Sequence, residues 1–119
     1  MQDFRSLVTW QKGHALVLSV YRQTRSFPNE EKYGLTSQLR RATLSIATNL
    51  AEGCGRGSDA DFGRFVQMAM GSASEVEYLL LAARDLGYLD DKIHRDLTDK
   101  TVEIKRMLAA LLKRLTPTR

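Results

Sequence analysis

The sequence predicts an all-α fold, an antiparallel up-down-up-down four-helix bundle that assembles as a homo-oligomer. Apolar side chains recur every three or four residues along most of the 119-residue chain, which is the period of an amphipathic helix. Only two Pro and eight Gly interrupt it, and no segment has the pattern of a strand. The length suits one domain, residues 1–119, and short links make neighbouring helices antiparallel.

The first helix is predicted over about residues 7–26. Its apolar stripe, whose members share one face, consists of Leu7, Trp10, His14, Val17 and Tyr21. On this stripe His14 is interpreted as a core histidine bonded to a neighbour, in preference to a ligand or catalytic residue. Pro28 ends the helix because it disfavours helical backbone in the residue before it.

The second helix is predicted over about residues 30–53, with Asn29 as its cap and two glutamates in its first turn. Its stripe consists of Leu35, Leu39, Ala42, Ile46, Asn49 and Gly53. The glycine-rich segment 53–57 follows. A flexible connection is favoured there over a phosphate loop, since Asp59 and Asp61 would repel an anion.

The third and longest helix is predicted over about residues 59–86, and Ser58 with Asp61 resembles a capping box at its start. It has two apolar seams. The first consists of Phe62, Val66, Ala69, Ala73, Val76, Leu80 and Ala83. The second consists of Phe65, Met68, Ser72, Glu75, Leu79, Ala82 and Leu86. This arc is wider than one small bundle needs, which predicts a second packing surface between copies.

The fourth helix is predicted over about residues 90–115. Residues 87–89 form the link before it, and Asp90 and Asp91 suit the positive end of the new helix. Its stripe consists of Ile93, Leu97, Thr101, Ile104, Leu108, Leu111 and Leu115. Pro117 closes the helix.

Charge is distributed unevenly along a chain with a net charge of +4 and a pI near 9.5. Residues 1–26 and 87–119 each carry +3, residues 59–86 carry −3, and residues 27–58 carry +1. The basic regions permit contact with RNA or DNA, although such charges also serve solubility alone. The candidate nucleic-acid-binding residues are Arg40, Arg41, Arg56, Lys100, Lys105, Arg106, Lys113 and Arg114.

Polar residues interrupt the stripes of the second and third helices. Asn49, Glu52, Ser72 and Glu75 need partners, because an unpaired buried polar group is costly. A buried network that fixes helix register is favoured over a direct ligand site.

A glycine in the middle of the third helix also needs a reason. In the run Gly71-Ser72-Ala73-Ser74, glycine costs up to about 1 kcal/mol relative to alanine. Close approach of a neighbouring helix would compensate, either at a surface for self-association or inside one bundle, and the sequence leaves both open.

Several functional classes are disfavoured. Cys54 is a single cysteine with no base placed beside it, and neither His14 nor His94 has metal-ligand spacing, so we expect no enzyme, metal or cofactor. His94 is expected on the surface. No apolar run could span a membrane and the N-terminus lacks a signal-peptide pattern, so a cytoplasmic protein is expected.

Motifs along the chain include QLRRA at 38–42, SIA at 45–47, NLAEG at 49–53 and GSASE at 71–75. They are accompanied by Trp10, Val20-Tyr21, Phe27-Pro28, Glu31 and the LGYL turn at 86–89. Together they resemble the ribosomal intervening-sequence four-helix-bundle family over nearly the whole chain. The family pattern marks Arg40, Arg41, Asn49, Glu52, Gly53, Arg56, Gly71, Ser72 and Glu75.

The resemblance implies a bundle whose relatives are typically encoded within insertions in bacterial large-subunit ribosomal RNA genes. A similar protein, the accessory protein of diversity-generating retroelements, forms a homopentamer whose basic surface engages nucleic acid and a reverse transcriptase. By resemblance, a homopentamer is therefore expected here.

The leading hypothesis is a non-enzymatic homo-oligomer that binds RNA or DNA through basic helix surfaces. The alternative is a protein–protein scaffold without nucleic-acid binding, favoured by the charge polarity and the second seam. An enzyme would require a pocket that joins Asn49, Glu52, Arg56 and Glu75.

Overall fold

A computed structural model describes residues 2–116, and within that range the chain forms helices and turns with no strand. The four α-helices are α1, Val8–Thr24; α2, Leu35–Cys54; α3, Asp59–Asp85; and α4, Asp91–Leu115. Short 3-10 helices at Phe4–Ser6 and Asn29–Glu31 precede α1 and α2. The predicted all-helical class is confirmed.

Side chains cap α3 and α4 at the predicted places. Ser58 Oγ accepts from the Asp61 N–H at 3.2 Å, and Asp90 Oδ1 accepts from the Ile93 N–H at 2.8 Å. Each bond satisfies an N–H that the first helical turn leaves without an intrahelical acceptor. The predicted terminator of α4, Pro117, lies outside the described residues.

The second helix begins at Leu35, later than the predicted start near residue 30, and Asn29 does not cap it. Glu31 takes that role from the preceding 3-10 turn. Its Oε1 accepts from the Leu35 N–H at 3.1 Å, while the Tyr88 hydroxyl donates to its Oε2 at 2.9 Å. This bond to Glu31 is the main reason that the pKa of Tyr88 is raised.

The link between α3 and α4 depends on Gly87, whose φ of 85° lies in the left-handed region. The Gly87 N–H donates to the Arg84 carbonyl at 2.9 Å, and the Tyr88 N–H donates to the Ala83 carbonyl at 2.8 Å. Carbonyls at the end of α3 are thereby satisfied without further helix.

The core draws one face from each helix. The largest fully buried side chains include Leu16, Leu39, Ile46, Leu50, Leu80, Leu97, Ile104 and Leu108. On α2 and α4 most of the predicted stripe is buried, and on α3 the first seam is buried except for the half-buried Phe62. The predicted core faces of these three helices are confirmed.

The predicted stripe of α1 is only partly correct: Val17 is buried and Leu7 and Trp10 pack against the core, whereas His14 is exposed. The buried residues of α1 are Thr9, Gly13, Leu16, Val17, Val20 and Thr24. A Cβ at Gly13 would lie 3.5 Å from Ile46 Cγ2, so small residues bring α1 close to α2. His14 is exposed and stacks on Trp10 with ring centroids 5.0 Å apart, and it is therefore not a core histidine.

α1 and α3 each pack against α2 and α4 but not against each other. Residue pairs that join successive helices are Thr24–Arg40, Ser45–Ser72, Gly53–Phe65 and Glu77–Lys105. The bundle measures 47 × 23 × 20 Å. The outer faces of α1 and α3 consequently lie on opposite sides of it.

The second seam of α3 is only partly covered by the other three helices. Phe65 and Leu79 are buried, whereas Met68 and Leu86 are 46% and 57% exposed. Tyr78, next to this seam, is 65% exposed. The chain thus leaves apolar surface on α3, as the two-seam pattern predicts.

Candidate functional site

The eight cations predicted to bind nucleic acid do not form one surface, and Arg40 departs furthest from the expectation. Its Nε donates to Thr24 Oγ1 at 2.8 Å and its Nη2 to the Tyr21 carbonyl at 3.4 Å. Its guanidinium carbon lies 4.5 Å from the centre of the Tyr21 ring. Arg40 therefore joins α2 to α1 through contacts within the chain.

Two other predicted cations pair with acidic neighbours on the protein surface. Arg56 Nη2 lies 3.0 Å from Glu52 Oε2, and Lys100 Nζ lies 3.2 Å from Asp96 Oδ2. Exposed ion pairs of this kind contribute at most about 1 kcal/mol to stability, so little free energy is lost when Arg56 or Lys100 leaves its acidic partner.

Two ion pairs cross between helices. Lys105 Nζ lies 2.9 Å from Glu77 Oε1 and joins α4 to α3. Lys12 Nζ lies 3.6 Å from Glu103 Oε1 and joins α1 to α4. The predicted binding residue Lys105 is thus engaged within the bundle.

The remaining four predicted cations are exposed, and within residues 2–116 none of them has an acidic partner. Arg41 lies on α2, whereas Arg106, Lys113 and Arg114 lie towards the end of α4. No Asp or Glu occurs from residue 104 to residue 119. Positive charge is therefore least compensated at Arg106, Lys113 and Arg114, which are together called the α4 basic segment.

A cavity of about 280 Å³ opens where α4 ends. Residues that line it include Gln2, Cys54, Arg56, Gly57, Ser58, Asp59, Phe62 and Arg114. A cation from the link between α2 and α3 and a cation from α4 thus line the same opening. The Asp59 carboxylate at the same opening opposes an anion there, as the sequence indicates.

Cys54 is a poor nucleophile in this environment. Its side chain is buried, and burial raises the pKa of the thiol despite a contact from Gln2 Nε2 at 3.7 Å. Nucleophilic attack requires the thiolate, which a raised pKa makes scarce at neutral pH.

Residues 2–116 contain no group of three His, Cys, Asp or Glu side chains placed to hold a metal ion. Nor does any helix in that range combine the length and apolar character that crossing a membrane requires. His94, which was expected on the surface, is half-buried, and its Nε2 lies 3.2 Å from Thr98 Oγ1.

A hydrogen-bonded cluster joins α2 to α3 around Ser45. Asn49 Nδ2 donates to the Ser45 carbonyl at 2.8 Å and to Ser45 Oγ at 3.0 Å. Ser72 Oγ donates to Ser45 Oγ at 2.8 Å. The predicted network therefore exists for Asn49 and Ser72, with Ser45 at its centre, and it sets the register of the two helices. The signal for Ser45 is its position one helical turn before Asn49.

Glu52 and Glu75 do not belong to this cluster, and the prediction of a buried network is wrong for both. Glu52 is exposed beside Arg56. Glu75 is exposed and lines a polar groove of about 370 Å³ between α2 and α3, together with Gln38, Arg41, Ala42 and Ser45. Arg56 and Glu75 thus line separate openings and do not meet in a common pocket.

The small-residue run has three different surroundings. Ala73 is buried, Ser72 bonds to α2, and Gly71 and Ser74 are exposed. A Cβ at Gly71 would meet no atom of the rest of the chain within 4 Å. Packing inside one bundle is therefore not the reason for this glycine.

Exposed apolar side chains occur on two opposite faces. On α3, Tyr78 and Leu81 border an apolar groove of about 400 Å³ that reaches His94 and Thr98 of α4. On α1, Val8 and Leu18 are both 53% exposed. Sequence reasoning missed the exposed apolar face of α1, because the stripe assigned to this helix lay at the edge between its buried and exposed sides. The signal is that Leu18 lies opposite Leu16 and Val20 on the helix.

Comparisons with a family model and with solved structures give matches. The model of the 23S rRNA-intervening sequence protein family matches residues 5–110. A crystal structure of a protein with unknown function from the S23 ribosomal protein family of Bacteroides thetaiotaomicron is similar with a TM-score of 0.82. The identity is 24%, over 88% of this chain and 98% of the other, and it shows the fold alone. No curated protein matches the chain.

Proposed function

We propose that this chain, which belongs to the 23S rRNA-intervening sequence protein family, is a non-enzymatic, self-assembling helical bundle that binds the phosphates of RNA or DNA. The α4 basic segment is the proposed contact surface. Arg41, on another helix, and the loosely paired Arg56 and Lys100 are secondary contacts.

The observation that carries this proposal is the uncompensated charge at the end of α4. Arg106, Lys113 and Arg114 are exposed, and residues 104–119 have no acidic residue to neutralise them. Lys113 and Arg114, in the last turn of α4, also interact favourably with the helix dipole, which explains their place but leaves their charge facing solvent. Phosphate groups are natural partners for such a surface.

Self-assembly is proposed because one copy offers only three free cations on this surface. Several copies would add their fields and could bind one strand at several points, which raises the apparent affinity without new contact types. A homopentamer is the state implied by the family resemblance, and it is proposed here on that ground.

Two finer features of the fold complete the proposal. Thr24 at the end of α1 bonds to Arg40 early in α2, and between α2 and α3 Gly53 lies near Phe65 while Ser45 bonds to Ser72. Residue numbers thus rise along one helix as they fall along the next, which supports the antiparallel up-down-up-down order. A cytoplasmic location is proposed because the single cysteine is a buried free thiol.

A salt titration with a labelled single-stranded RNA tests the nucleic-acid contact. For single strands, log K falls with log salt by about 0.7 per phosphate contact, so removing three contacts should reduce the slope by about 2. The test variant is Arg106→Ala with Lys113→Ala and Arg114→Ala, and it should bind RNA more weakly with that smaller slope.

The matched control is Lys92→Ala with Arg95→Ala and Lys100→Ala. It removes the same charge from the same helix, but from a half that also contains Asp91, Asp96 and Asp99. The affinity for RNA should fall less than in the test variant. The slope of log K against log salt should fall by less than about 0.7, which is the value for one phosphate contact. Undetectable binding by the wild type at low salt, a salt-independent affinity, or equal losses in both triple variants would overturn the proposal.

A scaffold for another protein, without nucleic-acid binding, is the second candidate. It is favoured by the engagement of Arg40, Arg56, Lys100 and Lys105 within the chain. A pull-down after nuclease treatment separates the two functions. A protein partner retained by the triple α4 variant without any nucleic acid would support the scaffold.

A further inference from the structure

We infer that copies of this chain join through two different faces, the outer face of α1 on one copy packing against the outer face of α3 on the next. This contact rests on the self-assembly proposed above and specifies how it occurs. It predicts a head-to-tail arrangement, which closes into a ring or extends as a filament, in place of a symmetric pair.

The first observation is that both faces are complete stripes without a cover in the bundle. The outer stripe of α1 consists of Val8, Gln11, Ala15, Leu18, Arg22 and Arg25, all exposed. The outer stripe of α3 consists of Gln67, Gly71, Ser74, Tyr78, Leu81 and Asp85, all exposed. At 1.5 Å per residue they extend about 25 Å each, so their lengths match.

The second observation is complementary shape. In the middle of the α3 stripe Gly71 has no side chain, and a Cβ there would meet nothing within 4 Å. Two helical turns further along the stripe, about 10 Å away, Tyr78 projects with 65% of its surface exposed. On α1, Leu18 projects at 53% exposure in the middle of the stripe. A projecting Leu18 can pack into the notch at Gly71, and Tyr78 can pack against α1 two turns further along, which removes apolar surface of both copies from water.

The third observation is opposite charge. α1 has no acidic residue, and its stripe ends in Arg22 and Arg25, whereas residues 59–86 carry −3. Glu75 is exposed beside the α3 stripe, while Asp85 on the stripe is paired with Arg84 at 3.0 Å. A contact of α1 with α3 brings unlike charges together. A contact of α3 with α3, or of α1 with α1, would oppose like charges, which is unfavourable.

The fourth observation is where the faces lie. Because α1 and α3 occupy opposite corners of the bundle, one copy can use both faces at once. Each copy therefore offers its α1 face to one neighbour and its α3 face to another, which is the condition for assembly beyond a dimer.

Mixing two variants tests this contact directly. Leu18→Glu disables the α1 face by placing a carboxylate against acidic α3, and Gly71→Leu disables the α3 face by filling the notch. Each variant alone should be monomeric by light scattering. A 1:1 mixture should give a dimer and nothing larger, because the intact α3 face of one variant meets the intact α1 face of the other.

The control is Tyr33→Asp, which removes an aromatic side chain that is 88% exposed but lies on neither stripe. Its mass should equal that of the wild type. All variants are at exposed positions, and circular dichroism checks that each keeps its helices.

Chemical cross-linking gives an independent reading. Leu18→Cys and Ser74→Cys should be joined by a short bismaleimide only when the two variants are mixed, since Cys54 is buried and should not react. Ser74→Cys linking to itself would instead indicate a symmetric α3 contact and overturn the inference.

The outcomes separate this inference from the proposed function. A monomeric wild type would remove self-assembly and this contact together. A wild type that assembles, with single variants that assemble equally or a mixture that stays monomeric, would leave self-assembly intact and overturn only the α1–α3 contact.

Discussion

Gly53, near the end of α2, and Gly71, in the middle of α3, are both glycines inside helices, yet their surroundings are opposite. A Cβ at Gly53 would lie 2.9 Å from both Phe62 Cδ1 and Phe65 Cβ, whereas a Cβ at Gly71 would meet nothing within 4 Å. The first glycine is required by packing within the chain. The second glycine is not required by packing within the chain. Because glycine destabilises a helix interior relative to alanine, Gly71 is the position where we propose a contact with another copy.

The largest effect on stability is expected from Gly53→Ala. The added methyl group must enter space already occupied by two phenylalanine side chains, and overpacking of this kind costs about 1–3 kcal/mol. Improved helix propensity returns at most about 1 kcal/mol, so the free energy of unfolding should fall. Urea denaturation at a fixed protein concentration measures the change. A midpoint at or above that of the wild type would contradict the close packing at Gly53.

The same contrast between inward and outward roles applies to the arginines. Arg40→Ala removes two hydrogen bonds and the contact with the Tyr21 ring, and it should destabilise the fold by about 1–2 kcal/mol. Arg114→Ala should change stability by less than about 0.5 kcal/mol, because its side chain is exposed. Thermal melting of the two variants compares them directly.

Arg40→Lys provides the matched control for charge. Lysine keeps the positive charge but lacks the planar group that contacts both Thr24 and Tyr21, so most of the loss should remain. Full recovery of stability in Arg40→Lys would show that charge alone matters at this position, against the structural role assigned to Arg40.

The helices were predictable from the sequence because periodicity and caps are local signals. The first seam of α3 and the caps Ser58 and Asp90 need only neighbours along the chain to be recognised. The face of α1 was not predictable in the same way. Its large residues Trp10 and Tyr21 are half-buried at the edge of the core face, while the small residues Thr9 and Gly13 are buried. An assignment based on large apolar residues therefore placed the stripe at this edge.

The candidate site was less predictable, because side-chain partners come from distant parts of the chain. Arg40 and Arg41 are adjacent in sequence, but one bonds to α1 while the other is exposed in a groove with Glu75. No local pattern distinguishes them. No reason for Gly71 is found within one copy, because a Cβ there would meet nothing within 4 Å, and the proposed contact with another copy would supply one.

A small effect on stability is also expected from Gly71→Ala, and its sign is opposite to that of Gly53→Ala. In dilute solution, where copies are apart, the methyl group meets no neighbour and alanine should stabilise the helix by about 0.5–1 kcal/mol. In concentrated solution the same methyl group should weaken assembly, because it begins to fill the notch on α3. Urea denaturation of the dilute protein and light scattering of the concentrated protein measure the two effects. Lower stability in dilute solution would mean that Gly71 has a packing partner within its own chain, and the contrast with Gly53 would then be lost.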